Sequence, residues 1–521
     1  MATEETGTLR SGFATVTAGT LFLLVATVVL VVFNFLSRVL IIRSVSPSAW
    51  NAFSLGFTLT QVLVAVAGLG LPLAVARSLA YAQRDGERRE VVRTAFLLGT
   101  SAAVVGGLAL LLSASALGRS LGSPLLGSGL GFFSVAVASL VVSTLIASVF
   151  QGFSNVTPNA LFLQIVNPGL FLLFLVAALA APPGRITYTD ALIAYATSSA
   201  ATLVALALYA WARLPRQYLH GPGEPKVRGR LLHLAAPLFV TGVMVSIASQ
   251  GDTLILGAFH YAEVGTYTAS LTFARLVQVG ISAASYIFLP VASGFLARGD
   301  RRAVRLTYVT VTKWLTVLSL PLFVVFVFLP ASSLDLVYGP HYAEVVVPLQ
   351  VVVAGAFVGT LLGPAAMAQV ASGQARLVAV NSVIAGAVDI AVSLVIVPAY
   401  GDVGAAAAWS ISNVTYAALC LSQLAATQGY HPFRRDFVVP LAVTGVPACV
   451  ALVVLHPRVP MFALPFVVVA FAVGFALVVT LTGSVDEGDR LLLEAVERLL
   501  GRPVPFVRRW AAMARLRRRG A

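Results

Sequence analysis

From Gly12 to Ile42 the chain carries a single charged side chain, Arg38. So long an apolar run exceeds the ~20 residues that cross a hydrocarbon layer as a helix. Inside such a layer each backbone N–H and C=O must be bonded within the segment or within a closed barrel, so a lone run of this kind is expected to be α-helical. It is also longer than the roughly 7–15-residue apolar core of a secretory leader, and is therefore expected to be a retained first span. The pattern recurs. Runs fall at 14–42, 53–76, 94–117, 130–150, 160–181, 189–211, 232–258, 264–293, 308–331, 346–369, 376–398, 402–426, 437–456 and 460–482. Spans eleven and twelve are separated at "PAYGDVG" (398–404), where Pro, Gly and Asp mark a turn. Composition agrees: only 10% of residues are charged and 59% are apolar, against about 25% and 45–50% in soluble domains. The expectation is an all-α polytopic membrane protein of about 14 transmembrane helices.

The net charge of +14 would suit a nucleic-acid-binding protein if it were clustered, but it is distributed by topology. With the amino terminus taken as cytoplasmic, inner segments hold 27 Lys and Arg residues and outer loops hold 4 (Arg43, Arg119, Arg185 and Arg458). That is a positive-inside bias, which predicts a multi-pass protein of the cytoplasmic membrane with both termini inside and no nucleic-acid partner. The tail, 483–521, joins "DRLLLEAVERLL" to "VRRWAAMARLRRR" and reads as a basic amphipathic segment against anionic lipid. The two cysteines, Cys420 and Cys449, lie in apolar runs and give no disulfide framework. There is no GxxxxGK loop, no His/Cys spacing for a metal and no nucleophile–base arrangement, so neither an enzyme nor a cofactor is expected.

An internal duplication organises the spans. "SRVLIIRSVSPSAWNAFSL" (37–55) aligns without gaps on "GDTLILGAFHYAEVGTYTA" (251–269), an offset of 214. "GERREVVRT" (86–94) matches "GDRRAVRLT" (299–307) at five of nine positions with an offset of 213. Spans one to six are thus expected to correspond to seven to twelve in parallel orientation, as two pseudo-symmetric six-helix bundles with two further helices. Residues 1–230 form the first bundle, 231–427 the second, 428–482 the added pair and 483–521 the tail. Parallel repeats of this kind place a substrate site between two bundles.

Polar residues at membrane depth are costly and often functional. Arg38 and Asp252 are the deepest charges of spans one and seven, at equivalent positions, and can pair or receive a headgroup. Asn34 lies one turn from Arg38 on the same helix face. Arg275 and Gln278 share a face of span eight, Gln61 holds the aligned place in span two, and Lys313 begins span nine. Arg38 and Lys313 are close enough to span ends to snorkel. Asp389, spaced with Asn381 in span eleven, is a candidate for an ion or proton, as is Asp252. The pairs Gln151/Asn155 and Gln164/Asn167 read as interhelical hydrogen-bonding residues. "NVT" at Asn155 and Asn413 is not a credible glycosylation site in either place.

These segments resemble Wzx/RfbX-type polysaccharide flippases of the MATE-like multidrug/oligosaccharidyl-lipid/polysaccharide exporter superfamily. The resemblance rests on "SRVLIIRSVSPSAWNAFSL", on "APLFVTGVMVSIASQGDTLILGAFHYAEVGTYTAS" (236–270), on "LDLVYGPHYAEVVVPLQ" (334–350) and on 371–413. Asn51 departs from a glycine-like turn that Gly265 keeps. The resemblance implies a MATE-like fold and translocation of a lipid-linked oligosaccharide for surface polysaccharide or glycoprotein synthesis. It implies Arg38, Asp252, Arg275 and Lys313 in a cationic cavity, with membrane lipids and pathway glycosyltransferases or a polymerase as partners. A drug/cation antiporter and a peptidoglycan-precursor flippase are the alternatives. A membrane glycosyltransferase would need a large outer loop or a carboxylate cluster, and neither is present.

Overall fold

The computed structural model describes residues 2–182, 184–218, 224–343 and 345–433, with a few isolated positions beyond. Its first eight helices are α1 (Ala2–Ser44), α2 (Pro47–Ala67), α3 (Leu71–Tyr81), α4 (Asp85–Ser120), α5 (Pro124–Gly152), α6 (Asn167–Ala180), α7 (Tyr188–Arg213) and α8 (Pro225–Phe259). There follow α9 (Val264–Val277), α10 (Val279–Leu296), α11 (Arg301–Phe328), α12 (Pro330–Tyr338), α13 (Val346–Leu361), α14 (Ala365–Ala371) and α15 (Ala375–Gln428). A π-helical segment, Asn159–Val166, leads into α6, and no strand occurs among the described residues.

Ten helical segments among the described residues are long and apolar enough to cross a membrane. They account for eleven of the first twelve expected spans, because α15 holds spans eleven and twelve joined at Gly401 (φ 53°, ψ −128°). The eighth, 264–293, runs through α9 and α10, which meet at Gln278. Spans thirteen and fourteen, Cys449 and the basic tail lie outside the described residues apart from isolated positions. The protein is an all-helical, multi-pass membrane protein.

The helices form two compact units. One contains Val25–Thr268 and Asp389–Ala405; the other contains Met1–Leu24, Ala269–Val388 and the described chain from Ala406. In lipid there is little hydrophobic drive between helices, so small residues that allow close packing carry the association. The first unit shows this where α4 lies on α5. Gly99 faces the Leu145 side chain, Gly107 the Ser134 carbonyl and Gly118 the backbone of Gly127, each within 3.0 Å of where a Cβ would stand. An aromatic cluster of Phe53, Phe133, Phe171 and Tyr195 fills the space between α2, α5, α6 and α7, with centroids 5.5–6.2 Å apart. The α2–α3 break is made by Leu69 (φ 50°) and Gly70 (φ 68°). A Cβ on Gly70 would lie 2.4 Å from Ala235 O and Phe239 N of α8, so only glycine meets both the turn and the approach.

In the second unit Phe273 packs edge-on against Phe326 and Tyr338, and Phe323 stacks on Phe357 with centroids 4.2 Å apart. A buried amide network ties α14 to both halves of α15. Asn381 and Gln423 exchange two hydrogen bonds of 2.8 Å, and Gln369 Nε2 donates to Gln423 Oε1 at 3.0 Å.

The duplicated segments touch each other within the first unit. The Asn51 amide donates to Ala262 O at 2.7 Å and accepts from Gly265 N at 2.7 Å, while Trp50 Nε1 donates to Gly265 O at 3.0 Å. Thr268 Oγ1 donates to Ser54 Oγ at 3.1 Å. Asn51/Gly265 and Ser54/Thr268 are aligned pairs at the offset of 214. Equivalent residues meeting in this way are the local sign of a two-fold relation between repeats. Nearby, Ser123 Oγ donates to the Tyr261 hydroxyl at 2.7 Å. Burial pushes that phenol above its ordinary pKa, and the Ser123 hydrogen bond works against the shift.

Candidate functional site: a buried carboxylate pair

Asp252 sits in α8, seven residues before its end, and is fully buried. The Tyr267 hydroxyl of α9 donates to its Oδ2, while Oδ1 accepts from Thr253 N at 2.6 Å. The bend at His260–Glu263 makes this possible by folding α9 back beside α8. Asp389, near the middle of the span-eleven half of α15, is also fully buried. Its carboxylate approaches Gly251: a Cβ there would lie 3.9 Å from Asp389 Oδ2. Asp252 is the charged group acting on Asp389. Neither Asp389 oxygen makes a hydrogen bond of ordinary geometry among the described residues, the Asp252 backbone N–H offering only a weak one, and the buried Ser393 Oγ one turn along the same face has no partner there. A bare carboxylate away from water is expensive. A proton or a small cation held by the cluster would remove that cost.

The α15 kink braces this arrangement. Glu263 Oε2 accepts from Asp402 N at 2.7 Å, Thr266 Oγ1 donates to Asp402 Oδ2 at 2.7 Å, and His260 Nε2 lies 3.2 Å from Pro398 O. A Cβ at Gly401 would overlap the Glu263 carboxylate.

The other expected site residues divide between the units. Arg38 is half-buried, with its guanidinium over the Phe57 ring at 5.6 Å to the centroid, a cation–π geometry. Asn34 turns its amide onto Leu30 O of its own helix at 2.8 Å, and Gln61 is half-buried on α2. These three share the first unit with Asp252 and Asp389. Arg275, Gln278 and Lys313 belong to the second. Arg275 is exposed in the last turn of α9. Gln278 is the break residue between α9 and α10 and donates to Asn413 Oδ1 at 3.2 Å. Lys313 is 3% exposed, with Nζ 5.8 Å from the Trp314 ring centroid. It lies twelve residues into α11, about 18 Å along the helix at 1.5 Å per residue. Among the described residues no three His, Cys, Asp or Glu side chains gather as a metal site.

Sequence reasoning missed Tyr267, Ser393 and the Asn51 bridge. A signal for Tyr267 was present: the aligned residue in the first repeat is Phe53, so the second repeat adds one hydroxyl where its helix faces a buried acid.

Helical spans with interruptions at Leu69–Gly70, Gln278 and Gly401, together with buried acids at membrane depth, define a secondary-transporter fold. The solved structures agree on that fold. An inward closed conformation of the lipid II flippase MurJ superposes with a TM-score of 0.65 at 15% identity, covering 88% of this chain and 98% of MurJ. An inward-facing multidrug-resistance MATE family transporter of the MOP superfamily gives 0.59 at 15% identity, over 79% and 98%. A MOP superfamily transporter from Pyrococcus furiosus, whose binding pocket has reverse polarity, gives 0.53 at 14% identity, over 80% and 96%. No curated protein matches the chain by sequence. The polysaccharide biosynthesis protein family matches residues 16–296, more than half of the chain. The chain belongs to that family.

Proposed function

We propose that this protein translocates a polyisoprenyl-linked oligosaccharide from the inner to the outer face of the cytoplasmic membrane, for surface polysaccharide or glycoprotein synthesis. Both termini face the cytoplasm in this reading, which the arginine asymmetry supports. Membership of the polysaccharide biosynthesis family and a fold shared with a lipid II flippase support the substrate class. The two duplicated bundles alternate access, and the basic side chains Arg38, Arg275 and Lys313 receive the phosphates or acidic sugars. Asn34, Gln61 and Gln278 offer uncharged polar contacts in the same pathway.

The observation that carries the coupling is the bare Asp389 carboxylate beside Asp252 and Ser393. A proton or monovalent cation entering this cluster neutralises a charge that the first unit otherwise holds dry, and so favours one state of the cycle over the other. In this structure Asp252 accepts a hydrogen bond from the Tyr267 hydroxyl.

The test is surface glycan in cells whose own copy is deleted. Asp389→Asn and Asp252→Asn, inserted at normal levels, should each abolish glycan display, while Ser101→Ala on the exposed side of α4 should not. Display retained by both carboxamide variants would remove the pair from the mechanism. Buried carboxylates also suit a drug/cation antiporter. That reading expects efflux of organic cations and normal glycan in the deletion strain, whereas a peptidoglycan-precursor flippase would make the deletion lethal.

A further inference from the structure

A cavity of about 220 Å³ lies wholly inside the second unit, where two helices are interrupted side by side. One interruption is Gln278, between α9 and α10; the other is Leu362–Pro364, between α13 and α14, with Gly363 at φ 73°. Broken helices at such a place are a recurring way for a transporter to present polar groups to a ligand within the bilayer. The cavity sits well inside the layer. Gln278 is 14 residues from the start of α9 and Gly359 is 13 from the start of α13, each about 20 Å along its helix.

The lining is mostly apolar, with Ile281, Ala366, Met367 and Ala417 among it, and carries a few polar groups but no charge. Gln278 and Asn413 contribute amides, Ser282 and Tyr416 hydroxyls, Gly359 a bare stretch of backbone and Cys420 a thiol, and no Asp, Glu, Lys or Arg lines it. Gln278 Nε2 donates to Asn413 Oδ1 at 3.2 Å, and Asn413 Nδ2 donates to Gly355 O at 3.0 Å. That relay orients both amides. It leaves Gln278 Oε1 and one N–H of each amide uncommitted among the described residues, since a primary amide has two donors and two lone pairs, while the Ser282 hydroxyl donates to the Gln278 backbone carbonyl at 3.4 Å and keeps its lone pairs for a ligand. Gly359 keeps the relay in place, because a Cβ there would stand 2.5 Å from Asn413 Nδ2.

Paired donors and acceptors, an aromatic ring and no ionic group suit a neutral hydroxylated ring. An anion would find no cation in the lining, and an alkyl chain would strand the amides. The size is that of one ring: the cavity is smaller than the roughly 300–1,000 Å³ of drug-sized sites and holds about seven waters at ~30 Å³ each.

We propose that this cavity is a binding subsite for a single neutral sugar ring, held by Gln278, Asn413 and Ser282. The inference rests on the proposed function for its substrate class and adds an uncharged subsite one turn along the helix from Arg275. The ring belongs either to the lipid-linked substrate or to a free saccharide.

Cys420 reports on occupancy. The test takes the full-length protein with Cys449→Ser in lipid nanodiscs, reacts it with methyl methanethiosulfonate, and follows Cys420 by mass spectrometry. With a Kd of ~1 mM, N-acetylglucosamine at ~10 mM should slow labelling about tenfold. Glucuronate at the same concentration should slow it less than twofold. Asn413→Ala and Ser282→Ala, checked for folding by size-exclusion profile, should each remove most of the protection. A polyisoprenyl-linked N-acetylglucosamine protecting where the free sugar does not assigns the ring to the lipid-linked substrate; protection by both assigns recognition to the ring itself. The proposal is overturned if neither sugar slows the reaction, if glucuronate protects equally, if the variants keep full protection, or if Cys420 does not react at all, since the reagent is smaller than a sugar. No step of this assay requires transport. A failure here beside intact glycan display removes the subsite and leaves the flippase reading standing.

Discussion

Asn51 spans the two repeats with two hydrogen bonds, and Asn51→Ala removes both. It leaves the Gly265 N–H without its acceptor and Ala262 O without its donor. A net hydrogen bond is worth about 0.5–1.5 kcal/mol, and a buried group left bare costs about 1–3 kcal/mol. Measured interhelical bonds in membranes average nearer 0.6 kcal/mol. Together these give about 2–4 kcal/mol for the bridge, and the lower figure is already a ~30-fold change in an opening equilibrium at 1.4 kcal/mol per tenfold. Hydrogen–deuterium exchange of the peptide covering 261–268 measures it. That peptide should exchange at least ~30-fold faster in Asn51→Ala, while peptides from α4 and α5 stay within threefold. Asn51→Asp keeps the acceptor for Gly265 N and loses only the donor to Ala262 O, so it should fall between. Unchanged exchange over 261–268, or an equal acceleration throughout the protein, would refute the bridge as a local latch between repeats.

Asp389→Asn should stop transport yet raise the thermal midpoint in detergent, because an unpartnered buried carboxylate is replaced by a less costly amide; a lowered midpoint would mean the acid is structurally satisfied. Gly70→Ala combines a positive φ with a 2.4 Å approach to the α8 backbone, and should cost about 1–3 kcal/mol in stability, read as a lower unfolding midpoint. Gly56→Val would drive a side chain into the Phe133 ring; overpacking of this kind costs about 1–3 kcal/mol, and a larger residue tolerated there would show that the aromatic cluster can yield. Lys313→Met preserves side-chain length without the charge, so folded yield should hold while glycan display falls at least tenfold.

The order of the first twelve spans was legible because apolar runs of span length admit few structures in a bilayer. The breaks were less so. Gly68–Leu69–Gly70 carries glycines that advertise an interruption, yet the run 53–76 reads as one span by hydropathy alone. Gln278 carries no such sign; its side-chain partner is Asn413, 135 residues away. The turn at 398–404 was legible from its Pro, Gly and Asp, and the kink falls at Gly401. α11 begins at Arg301, within residues that read as a polar loop, so its first turns were not legible as helix. The duplication aligned Asn51 with Gly265 but carried no hint that the two residues bond to each other. Asn413 stood out only as a rejected glycosylation motif, since a cavity lined from α10, α13, α14 and α15 leaves no local pattern.

Purified protein in liposomes, given a fluorescent polyisoprenyl-diphosphate oligosaccharide on both leaflets, permits the decisive measurement: the fraction of label reached by a membrane-impermeant quencher added outside. With a proton or sodium gradient imposed, the wild-type protein should bring the inner-leaflet label within reach of the quencher, and Asp389→Asn should leave it protected as in empty vesicles. Inner-leaflet label that stays protected with the wild-type protein under every gradient would contradict the flippase reading, and equal exposure by Asp389→Asn would contradict its coupling to the buried acids.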